Sequence, residues 1–147
     1  SKLYYSREME LNYLAIILAT IVQFAIGAMW YGPVFGKLWG KIHGFDKLSK
    51  EVQQKMMKEM GPFYGIQALV TLVTSIALAI IILNFSGEWS GYMLAGLIWL
   101  GFVVPAQVSA VIFGGTDKKW IPTKIALQSG CSLVCLMAAV FVLQMFS

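Results

Sequence analysis

The sequence predicts an all-α, polytopic membrane protein with four transmembrane helices. Of its 147 residues, 59% are hydrophobic and only 12% are charged, whereas a soluble domain usually carries about 25% charged residues. Four windows contain no acidic or basic residue: 11–36, 60–87, 89–116 and 125–147. Each exceeds the roughly 20 apolar residues that one helix needs to cross the hydrocarbon layer. Water is therefore not the main solvent of this chain.

The windows favour helices over the strands of a membrane barrel. Residues 14–19 and 76–83 are apolar at every position, while barrel strands alternate apolar and polar side chains over about ten residues. A helix also closes its backbone hydrogen bonds within the segment, as the bilayer core requires. The first window is too long for a cleaved signal peptide, and three more follow it. We expect it to remain as a span.

Proline and glycine mark the expected ends of the spans. Gly32-Pro33 ends the first span because proline lacks the donor of a continuing helix, and Gly114-Gly115 ends the third. Gly61-Pro62 and Pro122 precede the second and fourth, since proline suits a first helical turn. We predict a single transmembrane domain, 1–147, with spans at about 11–31, 63–85, 91–113 and 123–146 and a cytoplasmic loop at 32–62.

A short amphipathic surface helix is predicted between the first two spans. Ser49 can cap it and Glu51 lies in its first turn. Apolar residues recur every four positions: Leu48, Val52, Met56 and Met60. This pattern is typical of a helix lying on an anionic leaflet. It allows two interpretations, a sensor of lipid or partner and a simple connector.

Lysine and arginine counts predict the orientation. The first and third loops share one side of the membrane and hold nine lysines: Lys37, Lys41, Lys47, Lys50, Lys55, Lys58, Lys118, Lys119 and Lys124. The opposite side holds only Lys2 and Arg7. Because cytoplasmic loops are enriched in these residues, we expect both loops in the cytoplasm and both termini outside.

Aromatic residues support the same orientation, since Trp and Tyr favour the membrane interfaces. The expected inner anchors are Trp30, Tyr31, Trp39 and Trp120, and Trp89 is expected at the outer interface. Pro33 follows Trp30 and Tyr31, so the aromatic pair would fix the depth at which the first helix breaks. Interface anchoring alone explains this pattern, although it could also hold a re-entrant turn or a partner.

The four windows contain no charged residue. Proton-coupled pumps generally need such a group within the membrane, so its absence from these windows argues against a pump of this kind. Each span instead carries a glutamine at about 6 to 12 Å beneath the inner boundary by helical rise. These amides should point inward, because lipid cannot satisfy them. This layer of amides either joins the helices through hydrogen bonds or lines a water-filled cavity for a small neutral molecule. The candidate polar cavity comprises Gln23, Gln67, Thr71, Pro105, Gln107, Gln128 and Ser132, with Pro105 bending the third span.

Small residues every four positions suggest close packing between helices. They form three stripes: Thr71, Ser75 and Ala79 in the second span; Ala106, Ala110 and Gly114 in the third; Ala126 and Gly130 in the fourth. These stripes more often indicate packing than a solute pathway. They favour an oligomer or a subunit of a membrane complex.

No residue pattern points to catalysis, a metal or another cofactor. Cys131 and Cys135 are one turn apart among apolar neighbours, unlike a redox pair at an accessible helix start. His43 has only Asp46 nearby, too little for a metal site. The net charge of +4 lies in loops beside the membrane, so anionic lipid is a better partner than nucleic acid.

Two interfacial motifs resemble a known family. Residues 27–39, GAMWYGPVFGKLW, and residues 113–120, FGGTDKKW, are similar to segments of the domain of unknown function 1761 family, and the likeness covers about residues 10–146. This resemblance implies a small bacterial or archaeal four-span protein of the cytoplasmic (inner) membrane. It implies no reaction and no catalytic residues.

Three functions remain open at this point. The first is a non-enzymatic protein that acts by helix packing, as a homo-oligomer or as an accessory subunit of a membrane complex. The second is a passive channel or carrier for a small uncharged solute, lined by Gln23, Gln67, Gln107 and Gln128. The third and weakest is a membrane enzyme that uses the cysteine pair.

Overall fold

All regular structure in the computed structural model, which describes residues 11–85 and 87–146, is helical. Its α-helices are α1 Tyr13–Met29, α2 Gly36–Ile42, α3 Lys50–Glu59, α4 Gly61–Asn84, α5 Gly91–Ile98, α6 Val104–Phe113 and α7 Ile121–Met145. Four stretches are long and apolar enough to cross a membrane: Tyr13–Val34, Gly61–Asn84, Gly91–Phe113 and Lys118–Met145. The predicted four-span, all-α architecture is confirmed. Lys2 and Arg7, used above for orientation, lie outside the described residues.

The first span continues beyond Gly32-Pro33, where the sequence predicted its end. A π turn covers Trp30–Val34 and contains Pro33. The N–H of Phe35 bonds the carbonyl of Trp30 at 2.8 Å, five residues back. A π turn has room for one extra residue, so the missing donor of Pro33 is bypassed rather than ending the helix. α2 then begins at Gly36.

The third span is interrupted in the same way. Its π turn covers Trp99–Val103, and the N–H of Val104 bonds the carbonyl of Trp99. α6 begins immediately afterwards and has Pro105 in its first turn, where a helix needs no donor from it. Pro105 is therefore accommodated by two helical pieces joined through a wider turn.

α1 and α7 form the centre of the bundle. α1 packs most extensively against α7 and then α4, and α7 packs on its other side against the third span. Contacts at Asn12 with Phe146, Gln23 with Cys135, and Trp30 with Leu127 keep α1 and α7 antiparallel and in register over their full length. The core includes Ala15, Ile16, Ala19, Leu78, Ala79, Ala95, Leu136, Ala139 and Val140. Alanines in the centre allow the helices to approach closely.

α3 lies outside the bundle as a surface helix. The hydroxyl oxygen of Ser49 accepts the N–H of Val52 at 3.4 Å, as the sequence predicts for its cap. No residue of α3 is buried, and Gln53 ties it to the preceding turn by donating to the carbonyl of Phe45 at 2.9 Å. Its apolar side, with Val52 and Met56, is exposed.

Candidate functional site

Gln23 lies in the interface between α1 and α4, where it is only 6% exposed. Its amide donates to the hydroxyl oxygen of Ser75 at 2.8 Å and to the carbonyl of Ala19 at 3.2 Å. The Thr20 hydroxyl lies 2.9 Å from the same Ser75 oxygen. Ser75 in turn donates to the carbonyl of Thr71 at 3.1 Å. This polar cluster is therefore hydrogen-bonded across the α1–α4 interface.

Gln107 lies in a second interface, between α6 and α7. Its Nε2 donates to the hydroxyl oxygen of Ser132 at 2.7 Å, and its Oε1 accepts the hydroxyl of Ser129 at 3.2 Å. Ser132 donates onward to the carbonyl of Gln128 at 3.0 Å. Both ends of the Gln107 amide are thus engaged, and they join the third and fourth spans.

The side-chain amides of the other two glutamines make no hydrogen bond across a helix interface with the described residues. Gln67 is exposed on α4, and its amide lies 3.4 Å from the hydroxyl of Thr71, which donates to the carbonyl of Gln67 at 2.7 Å. Gln128 is half-buried, and its side-chain amide makes no hydrogen bond with the described residues. The structure brings Gln107 together with Ser132, but it does not bring the four glutamines together.

The four glutamines do not meet, because the depth of a side chain in the membrane does not determine its direction around the helix axis. Counting residues to a helix end gives depth through the rise of 1.5 Å per residue. Direction changes by about 100° per residue, so an error of one position turns a side chain far from its expected neighbour. Gln67 has a partner one turn away on its own helix, which makes an outward position tolerable.

Two tryptophans serve as donors inside the bundle. The indole N–H of Trp30 donates to the carbonyl of Leu127 at 3.1 Å, and that of Trp99 donates to the carbonyl of Ser129 at 2.8 Å. Each tryptophan is the first residue of a π turn. Sequence reasoning assigned Trp30 to the interface and missed Trp99. A tryptophan shortly before a proline within a span is the signal that both share.

The π turn of the third span changes which side chains face α7. In a regular α-helix, Trp99 and Gln107 would lie about 80° apart around the axis. One extra residue in a π turn removes about 100° of rotation, which leaves the two about 20° apart. Both then reach α7, at Ser129 and at Ser132 respectively.

The remaining anchor residues cluster where the first and third loops meet. The ring of Trp39 lies 4.6 Å from that of Tyr31 and 4.4 Å from that of His43 between centroids. The ammonium of Lys124, from the first turn of α7, is 5.7 Å above the Trp39 ring. Trp120 lies in a short 3-10 turn, Lys118–Trp120, four residues before Lys124. The contact between the Lys124 ammonium and the Trp39 ring therefore joins α2 to the start of α7.

Two expected anchors stand apart from this aromatic cluster. Trp89, before α5, is exposed at the other end of the third span. Pro33 is exposed within its π turn.

The cysteines lie in the α1–α7 interface, where Cys131 is buried and Cys135 is half-buried. Their sulfur atoms are 4.0 Å apart, and the Cys135 thiol donates to the carbonyl of Gln23 at 3.6 Å. Both thiols are free. Within the described ranges, no group of three His, Cys, Asp or Glu side chains is placed to hold a metal ion.

Two concave regions stand out on the molecule. One is a groove between α1 and α4 whose wall includes Thr20, Gly65 and Leu72. The other lies between the first and third loops and is rich in lysine. Neither is lined by a glutamine, so the glutamine amides of the spans lie outside both.

Similarity to known proteins agrees with the four-span architecture. No curated protein and no solved structure is significantly similar to this chain. The model of the protein family of unknown function DUF1761 matches residues 14–144, which span all four transmembrane helices. The chain therefore belongs to the DUF1761 family.

Proposed function

We propose that this protein is a non-enzymatic membrane component that acts through helix packing as a homo-oligomer, with α6 as the contact between copies. The observation that carries the proposal is the contrast between two small-residue stripes. Thr71, Ser75 and Ala79 of α4 are buried within one copy. Ala106, Ala110 and Gly114 of the third span are exposed. The second stripe has no partner among residues 11–85 and 87–146, which the structure describes.

Burial of the spans supports the same interface. In the most apolar 18-residue stretch of each span, 39% of the fourth is buried but only 6% of the third. Lipid tails satisfy large apolar side chains as well as a protein does, whereas small residues favour close backbone approach by another helix. Phe102 and Phe113, 73% and 87% exposed, flank the stripe and supply large side chains to pack around it. The simplest partner is a second copy of the chain, because a symmetric dimer buries the two identical stripes against each other.

Oligomeric state tests the proposal directly. Ala106→Leu with Ala110→Leu replaces the small face by bulky side chains. The matched control, Ala25→Leu with Ala77→Leu, makes the same changes at exposed positions of α1 and α4. Light scattering of the protein–detergent complex should give an oligomer for the natural chain and the control, and a monomer for the α6 variant. A monomeric natural chain, or equal masses for both variants, contradicts the proposal.

A passive channel or carrier for a small uncharged solute is the second candidate, and the glutamine contacts favour it less. The amides of Gln23 and Gln107 donate hydrogen bonds to Ser75 and Ser132 in two different helix interfaces. A conduit would need those amides to face a shared water-filled space. Proteoliposomes should therefore swell no faster in glycerol than empty vesicles, and Gln107→Leu with Gln128→Leu should change stability without changing swelling. Rapid swelling that this variant abolishes would instead support the conduit.

We further propose residence in a bacterial or archaeal cytoplasmic membrane with the lysine-rich loops inside and both termini outside. The support is the meeting of the first and third loops at one end of the bundle, which gathers their lysines there. Single cysteines at Ser49 and at Trp89 test this in a Cys131→Ala, Cys135→Ala background. In intact cells, an impermeant maleimide should label Trp89→Cys and spare Ser49→Cys. The reverse pattern overturns the orientation.

A further inference from the structure

The concave region between the first and third loops has a volume of about 370 Å³. Its wall includes Lys41 and Lys47 from the first loop, and Thr116, Asp117, Lys119 and Lys124 from the third loop and the start of α7. We call this region the basic cleft. Its volume lies within the range of small-ligand sites, which begins near 300 Å³. The cleft shares Gly114 with the small-residue stripe proposed above as the contact between copies, and its lysines lie outside that stripe.

The charges of the basic cleft are unbalanced. Four lysines and one aspartate line it, and no described acidic side chain forms an ion pair with these lysines. The carboxylate of Asp117 instead accepts the backbone N–H of Lys119 at 3.4 Å. Like charges held together repel one another, and an anion between them would remove that repulsion.

Aromatic rings hold two of the ammonium groups in place. Lys119 Nζ lies 5.8 Å from the centroid of Trp120, and Lys124 Nζ lies 5.7 Å from that of Trp39. A cation–π contact restricts an ammonium without neutralising its charge. These two lysines therefore keep donors for an anion and need little further ordering to bind one.

The backbone of the cleft is shaped by two glycines in the left-handed region. Gly44 has φ of +71° and Gly115 has φ of +76°, and one lies in each wall. Thr116, next to Gly115, has a buried hydroxyl without a hydrogen-bond partner among the described residues. An unpaired buried hydroxyl is unfavourable, and a small rotation toward the cleft would give it an acceptor on a bound anion.

From these features we propose that the basic cleft binds a phosphate group. Lysine is a common point-charge ligand for phosphate, and the cleft lies where the spans meet the lysine-rich end: Gly114 directly follows α6 and Lys124 is in the first turn of α7. The phosphate group can belong to a phospholipid headgroup or to a soluble phosphate compound. Basic pockets between membrane helices bind lipid headgroups in this way.

A charge-matched pair of variants tests the proposal. Lys41→Gln with Lys119→Gln removes one lysine from each wall of the cleft. The control, Lys55→Gln with Lys118→Gln, removes one lysine from each loop at positions that do not line it. The first arm measures retained phosphatidylglycerol against phosphatidylcholine by native mass spectrometry of the protein purified in neutral detergent. The second arm titrates inorganic phosphate and pyrophosphate calorimetrically.

We expect binding in at least one arm, weakened about tenfold or more by the cleft variant and less than threefold by the control. Retention of phosphatidylglycerol alone identifies a lipid source, and saturable binding of phosphate or pyrophosphate identifies a soluble one. Equal weakening by both variants would mean that only diffuse surface charge attracts the anion, and it would overturn the proposal. Absence of binding in both arms would overturn it as well.

Discussion

The indole of Trp30 packs directly over Gly130 of α7. A Cβ added at Gly130 would lie 3.1 Å from Cζ2 and 3.4 Å from Cη2 of that ring. Without a side chain at this position, the ring comes close enough for its N–H to reach the carbonyl of Leu127 at 3.1 Å. One glycine thus allows the tryptophan that begins the first π turn to bind the central helix.

Gly130→Ala should destabilise the protein by about 1 to 3 kcal/mol, because the added methyl group overpacks the site and displaces the ring. Unfolding in mixed micelles of increasing sodium dodecyl sulfate content measures this change. Gly65→Ala is the matched control in α4, since nothing lies within 4 Å of a Cβ at that position. It should leave stability unchanged or slightly raise it. Equal effects of the two changes would contradict the account of Trp30.

Ser75→Ala should lower the free energy of unfolding by about 1 kcal/mol. The substitution removes the acceptor of the Gln23 amide, which lies 2.8 Å from the Ser75 oxygen, in a fully buried position. Thr74→Ala is the control one residue away, where the exposed hydroxyl bonds only the carbonyl of Val70 on its own helix. The same micelle titration should show little effect of this control. A larger loss from Thr74→Ala would mean that the α1–α4 cluster contributes nothing specific.

Pro105→Ala should convert the third span toward a regular α-helix, because alanine restores the backbone donor that proline lacks. Loss of the π turn would rotate Trp99 by about 100° relative to Gln107 and break its bond to Ser129. Fluorine NMR of protein labelled with 5-fluorotryptophan follows this change, with Trp99→Phe to assign the signal. We expect the Trp99 resonance to shift and to become accessible to a lipid-soluble paramagnetic quencher.

Pro62→Ala is the control for that change, since Pro62 lies in the first turn of α4 with no π turn beside it. It should leave the Trp99 resonance unmoved. An unshifted Trp99 signal in Pro105→Ala would show that the π turn is held by packing against α7 rather than by the proline.

The number of spans could be predicted from the sequence because it depends on a one-dimensional property, the length of uncharged apolar windows. The continuation of the first span through Pro33 could not be predicted from the sequence, since a proline ends some helices and is accommodated by a π turn in others. Here the π turn is accompanied by the hydrogen bond from Trp30 to Leu127 on α7. Such a contact is tertiary and leaves only a weak trace in the local sequence.

The glutamines illustrate a second limit. The sequence correctly indicates that buried amides need partners, and Gln23 and Gln107 have them in Ser75 and Ser132. It does not specify which helices are neighbours, so it could not separate the α1–α4 cluster from the α6–α7 cluster. The small-residue stripes share this ambiguity, because buried Ser75 and exposed Ala110 look alike in sequence.

Cysteine crosslinking along α6 is the measurement that tests homo-oligomerisation most directly. Single cysteines at positions 104 to 113, in a Cys131→Ala, Cys135→Ala background, would be oxidised in native membranes, with Val73→Cys on exposed α4 as the collision control. The account predicts dimers at Ala106→Cys and Ala110→Cys, and few at Val108→Cys or Val73→Cys. Uniform crosslinking at all positions, or none above the Val73→Cys level, would contradict it.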